Sequence, residues 1–324
     1  MTKQLAATSL VIALLSGSSA FADQNYQKFQ NMLDLSGIAW LENDRFLVVH
    51  DAKNPKELKR TRISFLKPPS DDKHHQKPYL QVLPLDVVFP DGQSSDLESA
   101  SRVPGEDFVI LAESGDSGHG NFHRVFLARF DENTVTISDF VDWKTFYKEI
   151  HNVEATAVAK TSDGYRFIWA ERNSGKQETT IHWSEMILSD LESSKPSLSI
   201  GDPLGSASFS LPGSMTDNNN KPLYNRSIVG MDVDDLGNIY TIAAHDPEDS
   251  KTTDADNGPF RSVLFKTGYM DEKGDVVVLD TPEIVGKIDG LKAEGISYSG
   301  PEAGRLFFGT DDENYGGTLR GVTR

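Results

Sequence analysis

The chain has 324 residues, a net charge of -17 and no cysteine. The excess of acidic residues argues against a polyanion such as DNA as a partner, because nucleic-acid-binding proteins usually carry a basic surface. The lack of cysteine excludes disulfides, so stability must come from burial, strand pairing or bound ions.

The first 22 residues have the pattern of an export signal. Lys3 precedes the apolar run "LAATSLVIALL", and the small-residue site "AFA" follows at positions 20 to 22. We therefore expect cleavage after Ala22 and a periplasmic or secreted product formed by residues 23–324 as one domain. No later apolar run approaches the roughly 18 residues of a membrane-spanning helix.

A similar unit of two strands occurs five times along the rest of the chain. Each copy has a short strand of small and β-branched residues, a turn with Gly, Asp or Asn, and a more apolar strand. The copies are "SGIAWLENDRFLVVHD" from Ser36, "ESASRVPGEDFVILAE" from Glu98, "EATAVAKTSDGYRFIWAE" from Glu154, "GMDVDDLGNIYTIAAH" from Gly230 and "EGISYSGPEAGRLFFGTD" from Glu294. Internal repeats of this kind indicate a repeat architecture.

A third strand follows each unit after a polar loop, and a fourth is visible in most of them. Four antiparallel strands per repeat predict an all-β fold, a single β-propeller of five blades. The last repeat stops after its third strand, so residues 24–34 are expected to supply the closing strand. Six blades remain an alternative if the stretch "MTDNNNKPLYN", between the third and fourth units, hides a degenerate blade.

Acidic residues recur at both ends of the repeated hairpin. In a propeller the innermost strand starts at the face where the second strand ends, so both ends point to one rim of the central channel. The aligned starts are Ser36, Glu98, Glu154, Gly230 and Glu294, and the aligned ends are Asp51, Glu113, Glu171, His245 and Asp311. The pattern predicts a ring of carboxylates around a shared space.

Clustered carboxylates oppose folding unless a positive charge lies among them. A bound Ca2+ would supply it, since hard cations take carboxylate and carbonyl oxygens. Arginine would also supply it, because four of the third strands begin with an arginine: Arg62, Arg124, Arg261 and Arg320. The third unit has His182 at this position. Each acid and base therefore has two interpretations. In the first, the two residues form an ion pair within their blade, which recurs because the blades are repeats. In the second, the positions that depart from the pattern mark a functional site.

The segments "LSGIAWLENDRFLVVHDAKN", "DLESASRVPGEDFVILAESGD" and "NVEATAVAKTSDGYRFIWAERN" resemble the blade hallmarks of the phytase-like, or esterase-like, β-propeller family. More weakly, they are similar to gluconolactonase-like and calcium-activated nucleotidase propellers. The resemblance implies an axial divalent cation that serves the hydrolysis of a phosphate ester or a lactone. It implies cation ligands at Glu98, Glu154 and Glu294, with Glu113, Glu171 and Asp311 around them.

The sequence therefore suggests an exported, monomeric calcium-dependent hydrolase of an anionic small molecule. Arginine would hold the anionic groups, because guanidinium pairs with phosphate or carboxylate through two hydrogen bonds. The candidates are Arg124, Arg172, Arg261 and Arg320, with Glu171 or His245 as the general base. The alternative is a non-catalytic propeller that binds a ligand or a protein, with its carboxylates serving stability alone.

Overall fold

The computed structural model describes most of the chain from residue 34 onward. The described residues are 34–42, 45–51, 61–67, 81–90, 94–115, 122–150, 152–171, 178–211, 215–216, 222–223, 228–245, 260–300, 304–312 and 316–322. The predicted signal peptide and, apart from Asp34, the predicted closing strand lie outside these residues, so both stay predictions.

The protein is a five-bladed β-propeller in which each blade is an antiparallel meander. The first two blades comprise β1 (Gly37–Trp40), β2 (Phe46–Val49), β3 (Ile63–Lys67) and β4 (Gln81–Leu85), then β5 (Leu97–Arg102), β6 (Phe108–Glu113), β7 (Arg124–Phe130) and β8 (Val135–Asp142). The third comprises β9 (Val153–Thr161), β10 (Gly164–Glu171), β11 (Glu178–Ser189) and β12 (Ser197–Ser210). A two-stranded ribbon of β13 (Met215–Thr216) and β14 (Pro222–Leu223) follows. The fourth comprises β15 (Ile228–Val233), β16 (Asn238–His245), β17 (Arg261–Met270) and β18 (Val276–Asp289), and the described part of the fifth comprises β19 (Ala293–Tyr298), β20 (Leu306–Thr310) and β21 (Leu319–Gly321).

The ring is closed by its innermost strands. Strands β1, β5, β9, β15 and β19 contact one another in that order, and β19 contacts β1. The segment "MTDNNNKPLYN" contributes only the short β13–β14 ribbon among the described residues. The prediction of five blades is therefore confirmed, and the alternative of six is not.

The hydrophobic core lies between neighbouring blades, because both faces of each sheet are covered. Between the second and third blades, for example, Trp143, Phe167 and Trp169 are fully buried in one cluster. At the junction of the first and last blades, the rings of Phe46 and Phe307 meet edge to face with centroids 4.9 Å apart. Stacking the repeats thus buries apolar surface that a single blade would expose.

Helix is nearly absent from the described chain, in which the 3-10 turn at Trp143–Thr145 is the helical element described in full. In the described part of the sequence, no helical segment combines the length and the apolar character needed to cross a bilayer.

Small residues allow the inner strands to approach the axis. A Cβ atom at Gly37 would lie 2.7 Å from the backbone nitrogen of Ala100 and 2.8 Å from the Cα of Ser99. A Cβ at Gly230 would collide with the carbonyl oxygen of Glu294. Because these neighbours are backbone atoms, they cannot move without shifting a whole strand.

Replacing Gly37 with Ala should therefore destabilise the protein by about 1–3 kcal/mol, the usual cost of overpacking. The matched control is Gly286→Ala in β18, where an added Cβ meets no atom within 4 Å. That substitution should be neutral or stabilising by up to about 1 kcal/mol, through the unfolded state. Urea unfolding of both variants measures the difference, and equal midpoints would show that the inner strands can separate freely.

Candidate functional site

The three axial glutamates lie where β-bulges interrupt the innermost strands. Leu97 pairs with Glu113 and Ser99 with Ala112, which leaves Glu98 as the extra residue. Glu154 and Glu294 occupy the same place in β9 and β19. A bulge redirects the side chain of its extra residue. All three glutamates are buried, and they line one cavity of about 10 Å³ on the axis.

This cavity has room for about one water molecule or one ion. Its other lining residues include Ser36 and Gly230. The prediction that separate blades bring Glu98, Glu154 and Glu294 to one space agrees with the geometry, whereas their role as cation ligands stays a prediction.

In the fourth blade the alignment made from the sequence is off by one residue. Ile228 pairs with Ala243 and Gly230 with Ile242, so the bulged residue is Val229. Gly230 corresponds instead to Ser99 of the second blade, the small residue that follows the bulge. The bulged residues are thus Glu98, Glu154, Val229 and Glu294, and Val229 is buried in the hydrophobic cluster between the fourth and fifth blades, whereas Gly230 lines the axial cavity.

The aligned ends of the second strands also fall at different positions. Glu113 and Glu171 pair with the residue before the bulge. Asp311 lies one residue further, because its N–H donates to the carbonyl of Lys292 at 2.9 Å, as the N–H of Ser114 does to that of Asp96. Successive side chains of a strand point to opposite faces. The two sets of acids therefore face different surroundings, and they do not form a single ring.

A cluster of three carboxylates lies between the first two blades at this rim. Oxygens of Asp51, Asp96 and Glu98 all lie within 4.8 Å of one another, and Asp96 and Glu98 are buried. Oxygens about 2.4 Å from one Ca2+ can be no more than about 4.8 Å apart, so this spacing is compatible with a single ion. The donors are all hard oxygen atoms, which suit Ca2+ or Mg2+ better than softer metals.

Around the cluster, hydrogen bonds fix the backbone. The N–H of Asp51 donates to the hydroxyl of Ser36 at 3.2 Å. The hydroxyl of Ser114 donates to the carboxylate of Asp96. Asp96 has a positive φ of 58°, a conformation that Asp and Asn tolerate better than most residues. Serines thus hold two of the three carboxylate-bearing residues in place.

A buried lysine neutralises the acids on the other side of the axis. The Nζ of Lys292 lies 3.2 Å from the Oε1 of Glu294 and 3.8 Å from the Oδ2 of Asp311. The lysine side chain is only 4% exposed. The backbone N–H of Lys292 also donates to Asp312 at 2.8 Å. The positive charge expected among the carboxylates is therefore supplied here by a residue of the chain itself.

Glu113 and Arg124 form an ion pair inside the second blade. The guanidinium donates to both carboxylate oxygens, at 2.8 Å and 3.0 Å, and to the carbonyl of Pro90 at 3.1 Å. Ser94 and the N–H of Ser95 donate to the same carboxylate. Burial raises the pKa of Glu113, and Arg124 acts against that shift. The geometry matches the intrablade ion pair that the sequence left open, so we place neither residue in the proposed site.

The corresponding position in the first blade is His50, which also points into its blade. Its Nε2 lies 2.8 Å from the hydroxyl of Ser64 and its Nδ1 lies 2.7 Å from the carbonyl of Asp34. Burial lowers the pKa of His50 to about 4, so the imidazole is neutral at physiological pH. This position serves blade structure in both blades.

Glu171 lies beside Tyr147 at the rim of the third blade. Burial, together with the charge and the hydrogen bond of Glu171, raises the pKa of Tyr147 strongly, so the phenol remains protonated and donates to the carboxylate. The hydroxyl of Tyr147 also lies 3.5 Å from the Nε2 of His182, whose ring stacks on Trp169 with centroids 5.4 Å apart. Burial lowers the pKa of His182. Glu171 is thus a half-buried carboxylate in a polar and aromatic cluster.

The other predicted arginines and histidines have fewer contacts, or lie outside the described residues. Arg261 is 44% exposed and lies 3.6 Å from the exposed Asp289. Arg320 is exposed and pairs with Phe308 in the strand ladder. His182 pairs with Trp169, inside the third strand and not at its start. Arg172 and the side chain of His245 lie outside the described residues.

Sequence reasoning missed four residues of this region: Asp96, Lys292, Tyr147 and Val229. Asp96 and Lys292 both stand two residues before an axial glutamate, in "DLE" and "KAE". The equivalence of these two positions follows from the register that the bulges establish. Tyr147 belongs to the loop after the second blade, and nothing in the repeat indicated it.

No protein-family model matches the sequence, and no curated protein matches it. Solved structures are similar in fold only. A thermostable family-43 glycoside hydrolase matches with a TM-score of 0.46 and 10% identity, over 90% of this chain and 89% of that one. A mutant of the Cellvibrio cellulosa α-L-arabinanase matches with a TM-score of 0.43 and 11% identity, over 90% and 91%. An α-L-arabinofuranosidase from Lactobacillus brevis matches with a TM-score of 0.40 and 12% identity, over 92% and 94%. Similarity this distant carries no argument about activity.

Proposed function

We propose that the protein is an exported calcium-dependent hydrolase that acts on an anionic small molecule at the rim where the inner strands begin. The observation that carries the proposal is the approach of three carboxylates, Asp51, Asp96 and Glu98, to within 4.8 Å of one another. Like charges this close oppose folding unless positive charge lies among them, and a divalent cation would supply it. Asp51, Asp96 and Glu98 would hold the ion, with Glu154 as a further acid on the same cavity.

When bound, Ca2+ would polarise the scissile group and lower the pKa of a nearby water molecule. The phytase-like resemblance of the repeats agrees with this chemistry. The axial cavity of about 10 Å³ is too small for a substrate. The substrate would therefore lie above the acids, at the rim.

The chain's own residues would bind the substrate and move the proton. Glu171 would be the general base, with a half-buried carboxylate that accepts from Tyr147. Arg261 would hold an anionic group of the substrate, because its exposed pair with Asp289 is weak and exchangeable. Arg172 and Arg320 stay candidates for the same task, as His245 does for the base.

In a panel assay the purified protein should hydrolyse a phosphate ester or a lactone in 1 mM Ca2+ and lose that activity in EDTA. The panel includes 4-nitrophenyl phosphate, a nucleoside diphosphate, a sugar lactone and, as a neutral class, an aryl glycoside. For the substrate that is turned over, Glu171→Gln should lower kcat by about 10²- to 10⁴-fold, the usual contribution of a general base. The matched control Glu185→Gln, at an exposed position of the same blade, should leave kcat unchanged.

A second candidate is a non-catalytic propeller that binds a ligand or a protein. The buried pairs Glu113–Arg124 and Lys292–Glu294 favour it, because they show that part of the acidic pattern serves structure. Stabilisation by Ca2+ without turnover of any substrate class would support this candidate over the hydrolase. Activity that persists in EDTA, or in Glu171→Gln, would contradict the proposed mechanism.

A further inference from the structure

A second and larger cavity opens at the opposite mouth of the propeller. It has a volume of about 470 Å³, and all five blades contribute to its lining. The inner strands end there, at residues such as Trp40 of β1, Arg102 of β5 and Tyr298 of β19. The axial cavity lies instead among residues near the starts of these strands, so the two cavities are separate. The volume falls within the range typical of small-molecule sites, about 300–1,000 Å³.

The lining combines aromatic side chains with hydrogen-bonding groups of both kinds. Trp40 and Tyr298 supply aromatic surface, and Arg102 supplies donors. Asp232 and Asp235 supply acceptors. Asp232 is held rigidly, since it accepts from the N–H of Tyr298 at 2.6 Å and from the N–H of Val233 at 2.9 Å. Burial raises the pKa of Asp232 to about 7, so at neutral pH its carboxyl can both donate and accept.

Two donors of this cavity are buried without a hydrogen-bond acceptor among the described residues. They are the indole N–H of Trp40 and one terminal nitrogen of Arg102. A buried donor left unsatisfied costs about 1–3 kcal/mol. Both nitrogens are closed off from solvent, so an acceptor of a ligand would reach them after a shift of the two side chains. Both residues line the cavity.

The charges of the lining disfavour the simplest ionic ligands. Glu42 and Asp235 would repel an anion. A cationic ligand would compete with Arg102, whose guanidinium already lies 5.6 Å from the centre of the Trp40 ring and 3.3 Å from Glu42. The remaining class is a neutral molecule that carries several hydroxyl groups, each able to donate and to accept, on a carbon ring that packs against aromatic surface.

We propose that this cavity is a binding site for a neutral monosaccharide or a cyclic polyol. The site lies at the mouth opposite the acidic rim and does not depend on the calcium-dependent hydrolase. A carbon ring would pack on Trp40 and Tyr298, and its hydroxyls would accept from Trp40 and Arg102 and donate to Asp232 and Asp235.

The test is titration calorimetry of the intact protein with D-glucose, D-galactose, L-arabinose and myo-inositol, up to 100 mM, with choline and inorganic phosphate as charged probes. At least one of the four neutral probes should bind. Trp40→Phe keeps an aromatic ring and removes the indole N–H, and it should weaken that binding about three- to tenfold, the worth of one hydrogen bond. Asp235→Asn, at an exposed position of the lining, should weaken it by at least about threefold.

Two matched variants serve as controls for this test. Asp202→Asn changes an exposed acid of β12 outside the cavity and should leave the affinity unchanged. Asp96→Asn alters the opposite mouth and should also leave it unchanged, which separates this proposal from the calcium site. Melting curves establish that each variant is folded. The proposal is overturned if none of the four neutral probes binds, if only choline or phosphate binds, or if Trp40→Phe and Asp235→Asn bind as tightly as the parent protein.

Discussion

Replacing Glu113 with Gln should lower the free energy of unfolding by about 3–5 kcal/mol, the cost of removing one partner of a buried ion pair. The substitution leaves the Arg124 side chain, which is 7% exposed, without the charge that compensates it. It also removes the negative charge that accepts from Ser94 and from the N–H of Ser95. Urea unfolding at 25 °C measures the loss as a lower midpoint at unchanged slope.

An exposed acid and base pair in the fourth blade provides the control for this prediction. Asp289→Asn breaks the contact with Arg261, in which the acid is 82% and the base 44% exposed, and should cost less than about 1 kcal/mol. The double variant Glu113→Met with Arg124→Met should be more stable than Glu113→Gln, because no buried charge remains. A Glu113→Gln protein that unfolds like the parent but binds Ca2+ more weakly would instead establish Glu113 as a cation ligand.

The fold could be predicted from the sequence because each blade repeats the same alternation of turn and apolar strand. The hairpins from Glu98 and Glu154 carry the pattern clearly, and both form paired strands in the structure. Strand existence follows from local patterning, and ring closure follows from the need to cover the face of every blade.

The site could be predicted only in part, since side-chain direction depends on single-residue register. If the predicted register is wrong by one residue, a side chain expected to face the central channel faces the interior of the blade instead. No feature of the sequence indicates the bulge at Val229, so the alignment matched Gly230 instead of Val229 to the axial glutamates of the other blades. Aligning the final acids likewise placed Glu113 with Asp311, although the first faces Arg124 and the second lies near Lys292.

The same reasoning explains why a lysine was overlooked as the compensating charge. The sequence pattern pointed to arginine at the start of the third strands, whereas Lys292 precedes the innermost strand of the last blade. Asp96 occupies the equivalent position in the second blade, where the backbone hydrogen bonds are the same. One repeated position thus carries opposite charges in the two blades. The proposed cation would therefore lie beside Asp96, because Lys292 would repel it.

Calcium should raise the melting temperature of the parent protein, and Asp96→Asn should remove most of that rise. At a Ca2+ concentration about 100 times the Kd, binding would stabilise the fold by about 2.7 kcal/mol. Asp96→Asn should weaken Ca2+ binding by at least the roughly 10- to 100-fold seen when residues outside the ligand shell are changed. Asn suits the positive φ of this position, so the variant should fold. Melting curves in EDTA and in a Ca2+ series, with titration calorimetry, measure both effects.

The sign of the effect without metal separates a cation site from a structural network. If Asp51, Asp96 and Glu98 repel one another in EDTA, removing one charge should make Asp96→Asn melt higher than the parent protein there, and lower in saturating Ca2+. Glu185→Gln, at an exposed position of the third blade, is the control and should change the Ca2+ affinity by less than about threefold. A parent protein that melts at one temperature in EDTA and in 10 mM Ca2+ would refute the site. So would an Asp96→Asn variant destabilised equally in both, since that result would mean that the three carboxylates are held by protein contacts alone.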